Sequence, residues 1–171
     1  EVKVDAIKYA DTKERLEEAK IEIDSGKDYL SIQTKYPHRD QTWSRGSHEN
    51  PATVEYTLTV PRRVRLDEIK LINGELDIIG VNGEVRASCI NGRLKAQDLA
   101  GRAKLSTING RMEARFAQLA GQSVELSSVN GSVDLTIPSD SNAEVEASTV
   151  SGSIQNDFGL HVNNHRFVGH D

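Results

Sequence analysis

The sequence predicts an all-β chain: a parallel β-solenoid, or β-helix, of about 18–21-residue coils, preceded by an antiparallel β region. Three observations carry this expectation. One phrase returns as Ile72-Asn73-Gly74, Val81-Asn82-Gly83, Ile90-Asn91-Gly92, Leu99-Ala100-Gly101, Ile108-Asn109-Gly110, Leu119-Ala120-Gly121, Val129-Asn130-Gly131 and Val150-Ser151-Gly152. Its first five glycines fall nine residues apart, and such an internal repeat fixes architecture before local propensity does. Second, the phrase alternates between Asn-Gly, at 74, 92, 110 and 131, and Ala-Gly, at 101 and 121, so the true period is two units. Third, that period stacks like on like. Asn73, Asn91, Asn109 and Asn130 form one column ending in Ser151, and Leu71, Cys89, Thr107, Ser128 and Thr149 form another. Such ladders suit coils stacked at about 4.8 Å.

Residues 1–61 are expected to form the N-terminal β region and residues 62–171 the solenoid, the two continuous as one domain. Val2 to Tyr9 alternates as a strand. Asp11 or Thr12 can cap a short helical turn from Thr12 to Ala19, too short to hold without docking. Residues 20–24 and 29–36 alternate around the turn signal Ser25-Gly26-Lys27-Asp28 and read as a hairpin. The stretch 37–52 loses the pattern, is bounded by Pro37 and Pro51, and holds the only tryptophan. A loop this long reads either as a surface excursion or as a binding loop using Trp43 and Arg45, with Arg39, His38 and His48 nearby. Thr53 to Val60 and Val64 to Leu71 are the ramp into the repeats.

Counted from each glycine, apolar residues sit at +2, +4 and +7: Leu76, Ile78, Val81; Val85, Ala87, Ile90; Leu94, Ala96, Leu99; Ala103, Leu105, Ile108. Positions +1 and +3 are polar and share the opposite strand face. Parity slips between +4 and +7, so a corner is expected there, with the +7 residue pointing inward. Asn-Gly is also a hairpin signal, and an antiparallel meander is the competing fold. Charges favour the solenoid, because Asp77, Lys95 and Glu113 alternate in sign down one column and Glu75 faces Arg93 in the next. The step from Arg93 to Arg111 is the exception. The segments Phe116-Ala117-Gln118 and Pro138 to Asn142 read as corner insertions, and the pattern fades after Ile154.

At 171 residues, 36% of them apolar and 5% aromatic, the chain can bury a core, but an aliphatic and thin one. A net charge of −5 argues against nucleic acid as a partner. The single Cys89 excludes an internal disulfide. No apolar run reaches the roughly 18 residues that span a bilayer. The start at Glu1, without methionine or a signal-like stretch, fits a mature exported protein or an excised fragment.

The repeats resemble those of the bacterial putative adhesins, a family of β-strand-repeat domains of unknown function. The residues that carry the resemblance are Val54 to Pro61, Leu71 to Leu76, the returning Thr107 to Gly110, Ser128 to Gly131 and Thr149 to Gly152, and the preamble Leu30 to Pro37. The resemblance covers about residues 20 to 170. It implies a solenoid-like fold and an exported or membrane-associated protein. A Gly-rich strand pair that family members carry after a segment like Arg166 to His170 is absent, which implies truncation.

No catalytic, metal or cofactor site is expected. Calcium-binding β-rolls need Gly-Gly-x-Gly-x-Asp turns, which are missing. The outward acids Glu75, Asp77, Glu84, Glu113, Glu125 and Asp134 alternate with bases, which suits a solvated ladder better than the paired carboxylates of a glycosidase. His161, His165 and His170 have no acidic partner at metal-ligand spacing, and Cys89 stands where other coils place Thr or Ser. The expected function is a non-enzymatic scaffold or adhesin-like interaction domain of the bacterial envelope, binding a protein or a glycan. Its contact face is expected at Glu75, Asp77, Arg93, Lys95, Arg111 and Glu113. The alternatives are a carbohydrate-active enzyme, a protein that self-associates through its terminal coil, and a cytoplasmic location.

Overall fold

A computed structural model describes residues 2–36 and 52–156. The chain forms two compact units, Glu1–Val60 and Pro61–Asp171. In the first, β1 (Lys3–Tyr9) pairs antiparallel with β4 (Thr53–Thr59), and β2 (Lys20–Ser25) pairs antiparallel with β3 (Leu30–Lys35). The expected hairpin is therefore present, with Ile23 opposite Ile32. Between the ribbons' strands lies α1 (Lys13–Glu18), capped by Thr12, whose hydroxyl accepts a hydrogen bond from the Arg15 amide at 3.3 Å. Lys8 Nζ closes its other end by donating to the carbonyls of Leu16 and Ala19, at 3.1 and 2.8 Å. The hydroxyls of Thr34 and Tyr56 join the two ribbons. Trp43 and Arg45, like the rest of the loop at 37–51, lie outside the described residues, as do His161, His165 and His170.

The second unit is the expected parallel solenoid. Its strands β5 (Leu66–Ile79), β6 (Val85–Leu99), β7 (Ala103–Phe116), β8 (Ala120–Thr136) and β9 (Asn142–Asn156) stack in chain order as one sheet of five coils. Asn73 pairs with Asn91, Asn91 with Asn109, Asn109 with Asn130, and Asn130 with Ser151. Like stands on like, and the antiparallel meander is excluded. Each coil has two walls. The first runs up to the Asn-Gly corner, and the second runs from it to the opposite corner.

Interior positions alternate strictly along the first wall. Val85, Ala87 and Cys89 point in, as do Ala103, Leu105 and Thr107, and Val124, Leu126 and Ser128. This corrects the expectation for the +7 residues of these units. Ile90 and Ile108 are outside, at 38% and 43% exposed, and the small residue before each is buried instead. The physical reason is where parity slips. On the second wall it slips at a left-handed residue, Gly80 at φ 72° or Asp98 at φ 52°, so Val81 and Leu99 do turn inward. The first walls of β6 and β7 have no such residue and change parity only at Asn-Gly. Glu68, at φ 58°, marks a separate bulge where the β5–β6 register shifts.

The core is a thin file of aliphatic side chains, led by Leu94, Leu99, Leu105, Met112, Leu126 and Val133. Phe116, expected in a corner insertion, is instead 3% exposed and belongs to this file, and the bend begins after it at Ala117. The corner at Pro138 to Asn142 lies where expected, with the Ser141 amide bonded to the Pro138 carbonyl at 3.1 Å.

The Asn-Gly glycines serve the stack itself. Gly74, Gly92, Gly110 and Gly131 have φ between 126° and 152°, which side chains rarely adopt. A Cβ on Gly92, Gly110 or Gly131 would also fall on the carbonyl oxygen of the glycine one coil earlier. At the opposite corner Gly101 stacks in the same way on Gly83. Gly121, which matches Gly101 in sequence, does not continue that column; its φ is 76° and its Cβ position is open. The residues added after Phe116 displace it.

Two stability effects follow. Gly110→Ala should cost about 3 kcal/mol or more, from left-handed strain plus a backbone collision, whereas Gly80→Ala, with open space, should cost about 1 kcal/mol. Urea unfolding of both variants checks the difference. The hydroxyls of Thr107 and Ser128 are buried with no hydrogen-bond partner. Thr107→Val should therefore raise the unfolding free energy by about 1 kcal/mol, measured the same way.

Candidate interaction surface

The expected contact residues all lie on the second wall. Glu75 stands beside Arg93 and Arg93 beside Arg111, while Asp77 stands beside Lys95 and Lys95 beside Glu113. The structure brings the six together as expected. It adds Asp134, the neighbour of Glu113 in the next coil. The signal for Asp134 was the 21-residue step from Gly110 to Gly131, which carries the +3 position from 113 to 134.

Two like-charged steps, Arg93 over Arg111 and Glu113 over Asp134, are relieved diagonally. Arg93 Nη2 donates to Glu113 Oε1 at 3.2 Å, and Arg111 Nε lies 3.1 Å from the same oxygen. Arg111 Nε also donates to Asp134 Oδ2 at 2.8 Å, and the carboxylate beside it raises the guanidinium's already high pKa. The result is a zigzag, Arg93–Glu113–Arg111–Asp134, across three coils. These side chains stay partly exposed, Arg111 at 57% and Asp134 at 26%, so solvent screens each pair and its contribution to stability is small. The network fixes geometry more than it adds stability. Of the six, Glu75, Asp77 and Lys95 take part in no ion pair among the described residues, nor do Asp98 and Arg115 of the same wall, so these charges are open to a ligand.

The wall is shallow. A depression of about 260 Å³ lies over Gln97, Arg111, Glu113, Arg115 and Asp134. It is below the usual size of a small-molecule pocket, and both of its carboxylates are bonded to Arg111. Among the described residues, no three His, Cys, Asp or Glu side chains are grouped to hold a metal ion, and no helix is long and apolar enough to cross a membrane. Cys89 is 1% exposed, and burial pushes its thiol pKa up, away from a reactive thiolate.

Beside this wall runs the asparagine ladder. Asn91 Nδ2 donates to Asn73 Oδ1 at 3.0 Å, Asn109 to Asn91 at 2.9 Å, and Asn130 to Asn109 at 3.0 Å. All donors point the same way, so Asn91 and Asn109 each donate once and accept once. Asn91→Ala breaks two of these bonds and should cost about 1–2 kcal/mol. A double-mutant cycle in urea should find coupling between Asn91 and Asn109, and none between Asn73 and Asn130.

A family model, Toastrack DUF4097, matches residues 12–169. No curated protein and no solved structure matches the chain. The repeat resemblance is thus confirmed at the level of a domain family of unknown function, without an assignment to adhesins. With its match running from the N-terminal helix through all five coils, this chain belongs to the Toastrack DUF4097 family.

Proposed function

We propose that this protein is a non-enzymatic β-solenoid scaffold whose second wall binds a protein or a glycan in an adhesin-like manner at the bacterial cell envelope. One observation carries the reading most. The wall is a flat, five-coil surface whose polar columns are locked to one another, with Glu75, Asp77 and Lys95 left over at fixed spacing. A rigid array of this kind suits recognition over an area. It does not supply the walled cleft in which a glycosidase holds two working carboxylates. Family membership is consistent with such a role, since the family is defined by its domain and not by a reaction. Placement at the envelope, outside the cytoplasm, rests on the repeat resemblance.

The test is binding of the purified chain to an immobilised bacterial envelope fraction and to a glycan array. Glu75→Lys, Asp77→Lys and Lys95→Glu together should weaken binding at least tenfold while the circular dichroism spectrum stays unchanged. Undiminished binding would remove this wall. Release of reducing ends from the arrayed glycans, lost in Glu113→Gln, would favour the carbohydrate-active alternative.

A further inference from the structure

The first wall carries a pattern that the proposed ligand face does not use. Its outward side holds three columns. Ile72, Ile90, Ile108, Val129 and Val150 form an aliphatic column, each residue at least 38% exposed, between the Leu71–Thr149 and Asn73–Ser151 ladders. Next to it Ser88, Ser106, Ser127 and Ser148 stand in register. Beyond the serines come Arg86, Lys104, Glu125 and Glu146, also in register. An exposed aliphatic column this regular marks a surface that associates. The serines are small enough for a flat partner to approach closely.

The charged column identifies the partner. Read along the stack it runs plus, plus, minus, minus. Turned end over end about a two-fold axis between the third and fourth coils, it becomes its own complement. Arg86 then meets the partner's Glu146, and Lys104 meets the partner's Glu125. The same rotation sets Ile90 against the partner's Val150 and Ile108 against the partner's Val129, with serine facing serine. An isologous contact of this kind is self-complementary by construction. We propose that the first wall is a homodimer interface in which two solenoids pack antiparallel, face to face.

Electrostatics within one chain are compatible with this. Lys104 already holds Glu125 at 2.8 Å, so each copy offers an ordered pair that the other meets in reverse. One rim step opposes Glu84 to the partner's Glu144. Glu84 is covered by Arg86 at 2.7 Å and Arg65 at 3.5 Å. Four overlapped coils at about 4.8 Å, and six residues across at about 3.3 Å, define a patch about 19 by 20 Å. With side-chain relief, two such patches remove roughly 1,000 Å² from water, the low end of specific interfaces. A dimer in the micromolar range is expected, strengthened at low salt.

Sedimentation equilibrium of the full chain, from about 1 to 500 µM in about 50 mM salt, tests this, with circular dichroism to confirm folding. Wild type should dimerise, and Ile108→Glu should raise the dissociation constant at least tenfold. Lys104→Glu and Glu125→Lys should each do the same alone. Mixed in equal amounts, these two charge variants should form a heterodimer, because each restores the opposite sign across the axis. Neither variant alone keeps the Lys104–Glu125 pair, so restoration on mixing reports contact between chains. A wild type that stays monomeric throughout overturns the proposal. So does a dimer that is indifferent to Ile108→Glu, or one whose two charge variants fail to combine; either points to another surface, such as the terminal coil.

Discussion

The structure depends on how closely successive coils approach at the Asn-Gly corner. Gly92, Gly110 and Gly131 each sit where a Cβ would strike the carbonyl oxygen of the glycine one coil earlier. That contact holds the corners in one line. Once they are aligned, the register of each following wall is fixed, because a parallel strand starting at a set point can pair in only one way. The asparagine ladder just before the corner strengthens the same alignment with hydrogen bonds between neighbouring coils. Exact stacking in turn produces every column on the surface.

This order of causes explains why the outer walls look designed although much of their charge is spent internally. Arg111 sits beside Arg93 because the stack forces it there. The chain answers with Glu113 and Asp134, one placed diagonally from each. Columns in a parallel stack cannot avoid like neighbours by sliding, so they must carry compensating charges nearby. What remains after compensation is informative: unpaired charges, Glu75, Asp77 and Lys95 among them, on one wall, and an uncharged aliphatic column on the other.

Much of this was legible in the sequence. The nine-residue spacing and the two-unit alternation identify parallel coils, and the like-on-like columns give the register residue by residue. The inward or outward sense of Ile90 and Ile108 was not legible, because it depends on where parity slips. That is decided by a left-handed residue at Gly80 and Asp98, and Asp98 carries no marker in sequence. Gly121 misled for a related reason. Its Leu-Ala-Gly phrase copies that at Gly101, yet added residues at one corner break the column. The β1–β4 pairing joins Lys3 to Thr59 across the whole first unit, and no local pattern announces a partner so far away. The six contact residues were found because columns follow from period alone. Asp134 was missed as their partner because the period had by then lengthened to 21.

Each coil lies parallel on the last with equivalent positions superposed. Scalar couplings across backbone hydrogen bonds, measured by NMR on the isotopically labelled chain, test it directly. In a parallel stack, amides of β6 couple to carbonyls of β5 and β7, about 18 residues away, on both walls. Couplings between residues on either side of one Asn-Gly, such as Ser88 with Lys95, would show a hairpin there and contradict it.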